Sequence, residues 1–238
     1  MLSSIRLKLK KVILKLFGRI NHLKKTVNCN HLWYGSLYGG FYLCPDLLNE
    51  DSIVYSFGIG EDISFDKALI ERHNCCVFGF DPTPKSMSWV NNQSLPQRFY
   101  FNAYGIAKKS GFTDFYLPKN PEHVSGSMMI QNNINTDDKI TVEMKSIQDI
   151  INELRHNKID VLKMDIEGAE YDIIESLLDA KIQITQIIIE FHDRLFKDGR
   201  DKTINAISIL EKQGYKIFAV SDTMEEVSFI NEKMLKYS

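Results

Sequence analysis

Acidic residues are missing from the first 45 positions of this 238-residue chain; the first is Asp46. Over residues 1–25 eight of the 29 Lys and Arg side chains appear, which leaves 21 basic against 31 acidic residues in the rest. The whole chain has a net charge of −2 and a pI near 6.3. It lacks the basic excess of a nucleic-acid binder, so no nucleic-acid partner is expected. It also lacks any apolar run of about 18 residues, the length a helix needs to span a bilayer. Lysines interrupt the N-terminal apolar residues every two or three positions, and no small-residue cleavage site follows, so no signal peptide is expected. The four cysteines, Cys29, Cys44, Cys75 and Cys76, contain no CxxC pair. They read as unpaired thiols in a reducing, cytoplasmic compartment rather than as a disulfide framework or a metal site. No repeat and no low-complexity tract is present. At 44% hydrophobic and 25% charged, the chain has the composition of one α/β domain with a sizeable core.

Two segments precede that domain's regular pattern. In residues 1–25, Leu2, Ile5, Leu7, Leu9, Val12, Ile13, Leu16, Phe17 and Ile20 alternate with basic side chains at roughly helical spacing. A basic amphipathic helix of this kind can lie on an anionic membrane surface; packing on the domain or on a partner subunit is the alternative. Residues 1–30 are therefore read as a separate segment and 31–238 as the domain, placed in the cytoplasm with peripheral membrane contact through residues 1–25. The oligomeric state is not legible. Residues 31–45, "HLWYGSLYGGFYLCP", are aromatic and glycine-rich and read as a linker packed across a pocket mouth.

From residue 53 short apolar runs alternate with amphipathic ones. Strands are expected at 53–57, 77–80, 99–103, 161–164 and 186–191, and helices at 64–73, 85–91, 147–157, 169–180 and 202–213. The strands are nearly continuous apolar runs, as when both sheet faces are covered. The alternation predicts a Rossmann-like α/β fold, with a mostly parallel central sheet and helices on both faces. Runs at 216–220 and 227–230, separated by "SDTMEE", predict a C-terminal antiparallel hairpin. Residues 104–145 read as turns and short β-prone pieces.

Ligands of such sheets bind beyond the carboxyl ends of the strands. Those ends carry Gly58, Gly60, Glu61 and Asp62 after the first strand and Asp81 after the second. Asn102 and Gly105 follow the third, Asp165, Glu167 and Gly168 the fourth, and Glu190 and His192 the fifth. The first loop is not a dinucleotide fingerprint, because Ile63 stands where the third glycine belongs and acids stand where a pyrophosphate would sit. Asp81 suits a ribose-binding acid. A ribose acid with a loop hostile to phosphate fits S-adenosylmethionine, which has a sulfonium, an amino-acid tail and no phosphate. Taken alone, a GxG after a strand is a tight turn.

Asp165 and Glu167, two residues apart, can face one side of an extended segment. They could orient a hydroxyl, bind a cation, or complement the helix that follows. Lys163 shares the parity of Asp165 and could pair with it. His192 could take a proton from an alcohol if a carboxylate orients it. A divalent cation on Asp165, Glu167 and His192 competes with that reading, though no ligand spacing of a known metal motif supports it.

Together "VYSFGIGEDISFD", "FGFDPTP", "VLKMDIEGAEYDIIESL" and "IIIEFH" resemble the FkbM-type S-adenosylmethionine-dependent methyltransferases, over roughly residues 31–220. The D-x-E-G-x-E motif is the most specific part. The resemblance implies a class I methyltransferase fold and O-methylation of a hydroxyl on a carbohydrate or related natural-product acceptor. It places Gly58, Gly60 and Asp81 at the cofactor and Asp165, Glu167 and His192 at the transfer site. Glu61, Asp62, Asn102 and Gly105 complete the expected cofactor side, and residues 118–129, with His123, Ser125 and Ser127, the acceptor side. The family loop resembles D-x-G-A-N-x-G, and this chain departs from it. A non-catalytic glycan- or partner-binding module and an NAD-dependent oxidoreductase are the alternatives.

Overall fold

The computed structural model describes residues 20–118, 134–180 and 182–237, together with residue 14. The expected N-terminal amphipathic helix, apart from Ile20, and the expected acceptor contacts His123, Ser125 and Ser127 lie outside the described residues.

The core is a seven-stranded sheet in the order β5-β4-β3-β9-β10-β12-β11. Its strands are β3 (Ile53–Phe57), β4 (Cys76–Phe80), β5 (Phe99–Asn102), β9 (Lys158–Met164), β10 (Gln183–Glu190), β11 (Tyr215–Val220) and β12 (Glu226–Asn231). Pairing is parallel from β5 to β10, whereas β12 runs antiparallel to both β10 and β11. All five expected parallel strands and the terminal hairpin are present. Val54, Tyr55, Val77, Ile159, Val161, Leu162, Ile187, Ile188 and Ile189 are completely buried, which explains why these strands read as unbroken apolar runs.

The helices are α1 (Ser64–His73), α2 (Pro84–Asn91), α3 (Ile147–Leu154), α4 (Glu170–Asp179) and α5 (Gly199–Lys212). Local chemistry sets their ends. Thr83 caps α2 by accepting from Ser86 N, with Pro84 in the first turn, and Ser146 caps α3 by accepting from Asp149 N. Helix α3 ends three residues before the expected 157, because Arg155 turns left-handed at φ 56° and its N–H closes on Ile151 O. Helix α5 starts three residues before the expected 202.

The stretch read as a linker and the stretch read as turns with short β-prone pieces both contain paired strands. Residues 31–45 contain the antiparallel hairpin β1 (Leu32–Tyr34) and β2 (Phe41–Leu43). Gln186, wholly buried in β10, clamps this hairpin through its amide, which accepts from Cys44 N and donates to Cys44 O. The Ser228 hydroxyl adds a bond to Tyr42 O. Residues 104–145 contain a second sheet, ordered β6-β8-β7, from β6 (Gly105–Ile106), β7 (Gly111–Pro118) and β8 (Ile134–Lys145). Phe115, Val142 and Met144 form its buried face. The linker reading of residues 31–45 misses the hairpin because short, glycine-broken strands become strands through partners distant in sequence, whereas β-prone pieces within 104–145 are strand in β7 and β8.

Among the described residues no helix is long and apolar enough to cross a membrane, and the four cysteines are free.

Candidate active site at the sheet's switch point

The strand order reverses between β3 and β9, and the loops after those two strands meet there. Asp165 N donates to Phe57 O (3.1 Å), Gly58 N to Phe80 O (3.0 Å), and Lys163 Nζ to Gly58 O (2.9 Å). The loop after β3 is thus pinned to β4 and β9. Gly58 and Gly60 both have left-handed backbones, with φ of 82° and 54°.

Asp81 organises this loop. One carboxylate oxygen accepts from Ile59 N (3.1 Å) and Gly60 N (2.9 Å); the other accepts from Thr83 N (2.9 Å) and Thr83 Oγ1 (2.6 Å). Four protein donors fill the four lone-pair sites of a carboxylate, so none is left for a ribose hydroxyl in this arrangement. The expectation of a purely ribose-facing acid gives way to that of a loop organiser. Aspartate is too short to turn its head away from donors only two residues off in sequence or across the strand end.

Asp62 is similarly engaged. One oxygen accepts from Ser64 N (2.7 Å) and the other from Ser36 Oγ (2.8 Å), which ties the tip of the β1–β2 hairpin to the loop. That tip carries Leu37 and Tyr38, 96% and 83% exposed. The Tyr38 phenol is close enough to Asp165, Glu167 and Glu190 to feel their charge, so the hairpin stands at the mouth of the site. Glu61 is exposed and lies 3.6 Å from Lys85. Asn102 ends β5, donating to Gly79 O and Tyr100 O, while its own carbonyl accepts from Asp81 N. Gly105 is buried in β6, where a Cβ would meet Met144 and Pro82. The glycine lets β6 pack closely against Met144 and Pro82.

Opposite the loop, β9 and β10 deliver a carboxylate cluster around one histidine. His192 is 1% exposed. Its Nδ1 lies 3.2 Å from Glu170 Oε1, and its backbone N–H donates to the same oxygen (2.9 Å). Glu170 is fully buried and also accepts from Gly168 N (2.9 Å). Nε2 faces Glu190 at 3.5 Å, Glu167 at 3.6 Å and Asp165 at 3.7 Å. Asp165 divides its oxygens: Oδ1 faces His192, and Oδ2 lies 3.7 Å from Lys163. Glu167 reaches the cluster through a left-handed backbone (φ 52°), followed by Gly168 at 98°.

Burial lowers the pKa of His192, but the hydrogen bond to Glu170 and the charges of Glu170, Glu167 and Asp165 outweigh it and carry the imidazole to about 9. Burial, then Asp165 and the cross-strand Glu226, push Glu190 up to about 8 against His192 and Lys163. A histidine that keeps its proton at neutral pH is not a ready proton acceptor. A basic role for His192 requires added positive charge in the site to offset the carboxylates.

The structure therefore brings Asp165, Glu167 and His192 together, as the sequence led one to expect. It adds Glu190 and Glu170. Glu170 reads in sequence as first-turn charge on a helix; only its complete burial and three bonds reveal it as the support of His192.

Beneath the loop lies another carboxylate, Asp66 on α1, 1% exposed. Burial raises it to about 6, against Lys163 and Ser56, which lower it. The unfolded chain releases this proton near the usual value of about 4. The Asp66 contribution to stability is therefore whole below about pH 4 and lost as the pH rises through 6. Asp66→Asn should remove that loss, a gain relative to wild type of about 3 kcal/mol between about pH 3 and about pH 7. Urea denaturation at the two pH values measures it; an equal stability difference at both would remove Asp66 from this role.

A Rossmann-like sheet with one antiparallel strand inserted near its edge, and a site at the switch point, is the architecture of class I methyltransferases. The methyltransferase FkbM domain family matches residues 54–217, well over half the chain, and the protein belongs to that family. Among its relatives is methyltransferase-like protein 24 of Homo sapiens, 28% identical over 162 residues. That match takes in 67% of this chain and 38% of the relative, so the chain spans about two fifths of that protein. Hexuronic acid methyltransferase AglP of Haloferax volcanii is 23% identical, covering 60% of this chain and 57% of AglP. The 2-O-methyltransferase NoeI of Sinorhizobium fredii is 24% identical, covering 65% and 69%. Among solved structures, Methanococcus jannaschii fibrillarin aligns with a TM-score of 0.46 at 14% identity, covering 77% of this chain and 68% of that one.

Proposed function

We propose that this chain is an S-adenosylmethionine-dependent O-methyltransferase acting on a hydroxyl of a carbohydrate or related natural-product acceptor. The observation that carries the cofactor reading is the loop after β3. The N–H groups of Gly58, Ile59, Gly60 and Asp62 are all bonded within the protein. A loop whose donors are spent cannot cradle a pyrophosphate, which speaks against NAD and suits a phosphate-free ligand. Gly58 and Gly60, with Glu61 and Asn102 at the rim, are the residues that would hold it, and the bound cofactor supplies an electrophilic methyl group. The acceptor hydroxyl oxygen forms the new C–O bond as the S–CH₃ bond breaks, with its electron pair leaving on sulfur. The hydroxyl proton passes to a carboxylate of the cluster of Asp165, Glu167 and Glu190, with His192 as the base where added positive charge offsets those carboxylates. That cluster and the Tyr38 tip would orient the acceptor, and orientation can supply much of the acceleration. The carbohydrate class is favoured by the names of AglP and NoeI.

Calorimetric titration with S-adenosylmethionine, S-adenosylhomocysteine and NAD tests the reading. Micromolar binding of the two sulfur ligands and none of NAD is expected. Binding of NAD, or of none of the three, would overturn it. Affinity for the sulfur ligands without methyl transfer to any of a panel of methyl glycosides and hexuronides would favour a non-catalytic binding module.

A further inference from the structure

Four carboxylates converge on one buried imidazole, and their separations are informative. On the Nδ1 side, Glu170 is at hydrogen-bond distance and fixes the ring. On the Nε2 side, Glu190, Glu167 and Asp165 stand at 3.5, 3.6 and 3.7 Å, longer than a charge-assisted hydrogen bond. A ring nitrogen with three acids at these separations borders a space rather than a contact. Two ligand atoms each about 2.1 Å from a shared ion lie about 3.0 Å apart at an octahedral angle and about 3.4 Å apart at a tetrahedral one, so closing on an ion needs side-chain shifts of about half an ångström.

We infer that Asp165, Glu190 and His192 form a binding site for one divalent cation. The inference rests on the reading of this cluster as the transfer centre. One ligand atom from each residue lies within 4.8 Å of the others. The residues come from the ends of two adjacent parallel strands, so sheet pairing rather than a flexible loop sets their spacing. Glu170, bound behind the imidazole, is the outer partner that metal-bound histidines commonly have; it aims Nε2 inward and leaves Nδ1 as the proton-bearing nitrogen. Asp165 turns Oδ1 to the site and keeps Oδ2 toward Lys163. Two carboxylates and one imidazole, with Asp165 and Glu190 partly exposed, suit Mg²⁺ or Mn²⁺ and leave positions for water or an acceptor oxygen. This set differs from the sequence expectation by exchanging Glu167 for Glu190. Sequence proximity favours Glu167, but strand pairing places Glu190 beside Asp165, across the β9–β10 register in which Met164 faces Ile189.

Titration of the full chain with Mn²⁺, followed by electron paramagnetic resonance, tests the inference. One saturable site per chain is expected, with electron spin echo modulation from a directly coordinated imidazole nitrogen. Glu190→Gln and Asp165→Asn should each weaken the site at least tenfold, whereas Glu71→Gln, an exposed acid on α1, should leave it unchanged. Absence of saturable binding, absence of nitrogen coupling in the wild type, or affinity indifferent to both substitutions would overturn it. The nitrogen signal needs no variant, so a variant that misfolds does not decide the outcome. S-adenosylhomocysteine affinity, measured on the same samples, separates the two readings: Mn²⁺ bound without the sulfur ligand would sink the methyltransferase proposal and spare the cation site.

Discussion

Gly58→Ala should cost the protein several kcal/mol and its loop geometry, because the substitution fails twice. The residue's φ is 82°, a conformation that costs a non-glycine residue about 1 kcal/mol or more. A Cβ at this position would also lie 1.7 Å from Asp165 O, a backbone atom in the loop after β9 that has no room to retreat. The two loops of the switch point would have to separate, disturbing the bonds Gly58 N to Phe80 O and Lys163 Nζ to Gly58 O. A loss of about 4 kcal/mol corresponds, for a chain of this size, to a fall in Tm on the order of 10 °C. Gly214→Ala supplies the control: its φ is 89°, but nothing lies within 4 Å of the added methyl. Differential scanning calorimetry of both variants separates strain from collision. Equal falls in Tm would mean that the contact between the loops is not what requires glycine at residue 58.

The second large effect is expected at Asp81. Asp81→Ala strips the acceptor from the Ile59 and Gly60 N–H groups and from Thr83 N and Oγ1. Each buried donor left unpaired costs about 1–3 kcal/mol. The variant should lose roughly 3 kcal/mol or more in stability and at least tenfold in S-adenosylmethionine affinity, the second following from the first as the loop loses its shape. Denaturant titration and calorimetry, run together, distinguish this from direct ligand contact. Lost affinity with unchanged stability would return Asp81 to the role of a ribose-binding acid.

Much of the architecture is legible in the residues themselves. Buried parallel strands must be apolar on both faces, so β3, β4, β9 and β10 stand out as runs. Asn74, Thr83 and Ser146 mark helix ends by chemistry local to the chain. The β1–β2 hairpin is a different case. Trp33, Tyr34, Phe41 and Tyr42 look like an aromatic linker until Gln186, more than 140 positions away, bonds both Cys44 N and Cys44 O. The strands of the β6-β8-β7 sheet show in sequence as β-prone pieces, but their pairing into one sheet does not, because cross-strand partners set it.

The sequence by itself determined the fold class, the family and the edge of the sheet where the chemistry gathers, because strand periodicity and the glycines and acids at strand ends are local properties. Only the tertiary structure decided what each acid does. Asp62 and Asp81 spend their oxygens on the protein's own donors, Glu170 supports an imidazole instead of a helix terminus, and Glu190 joins Asp165 and His192. A carboxylate's role depends on which donors and charges surround it in space, and distances between strands are fixed by sheet pairing rather than by spacing along the chain.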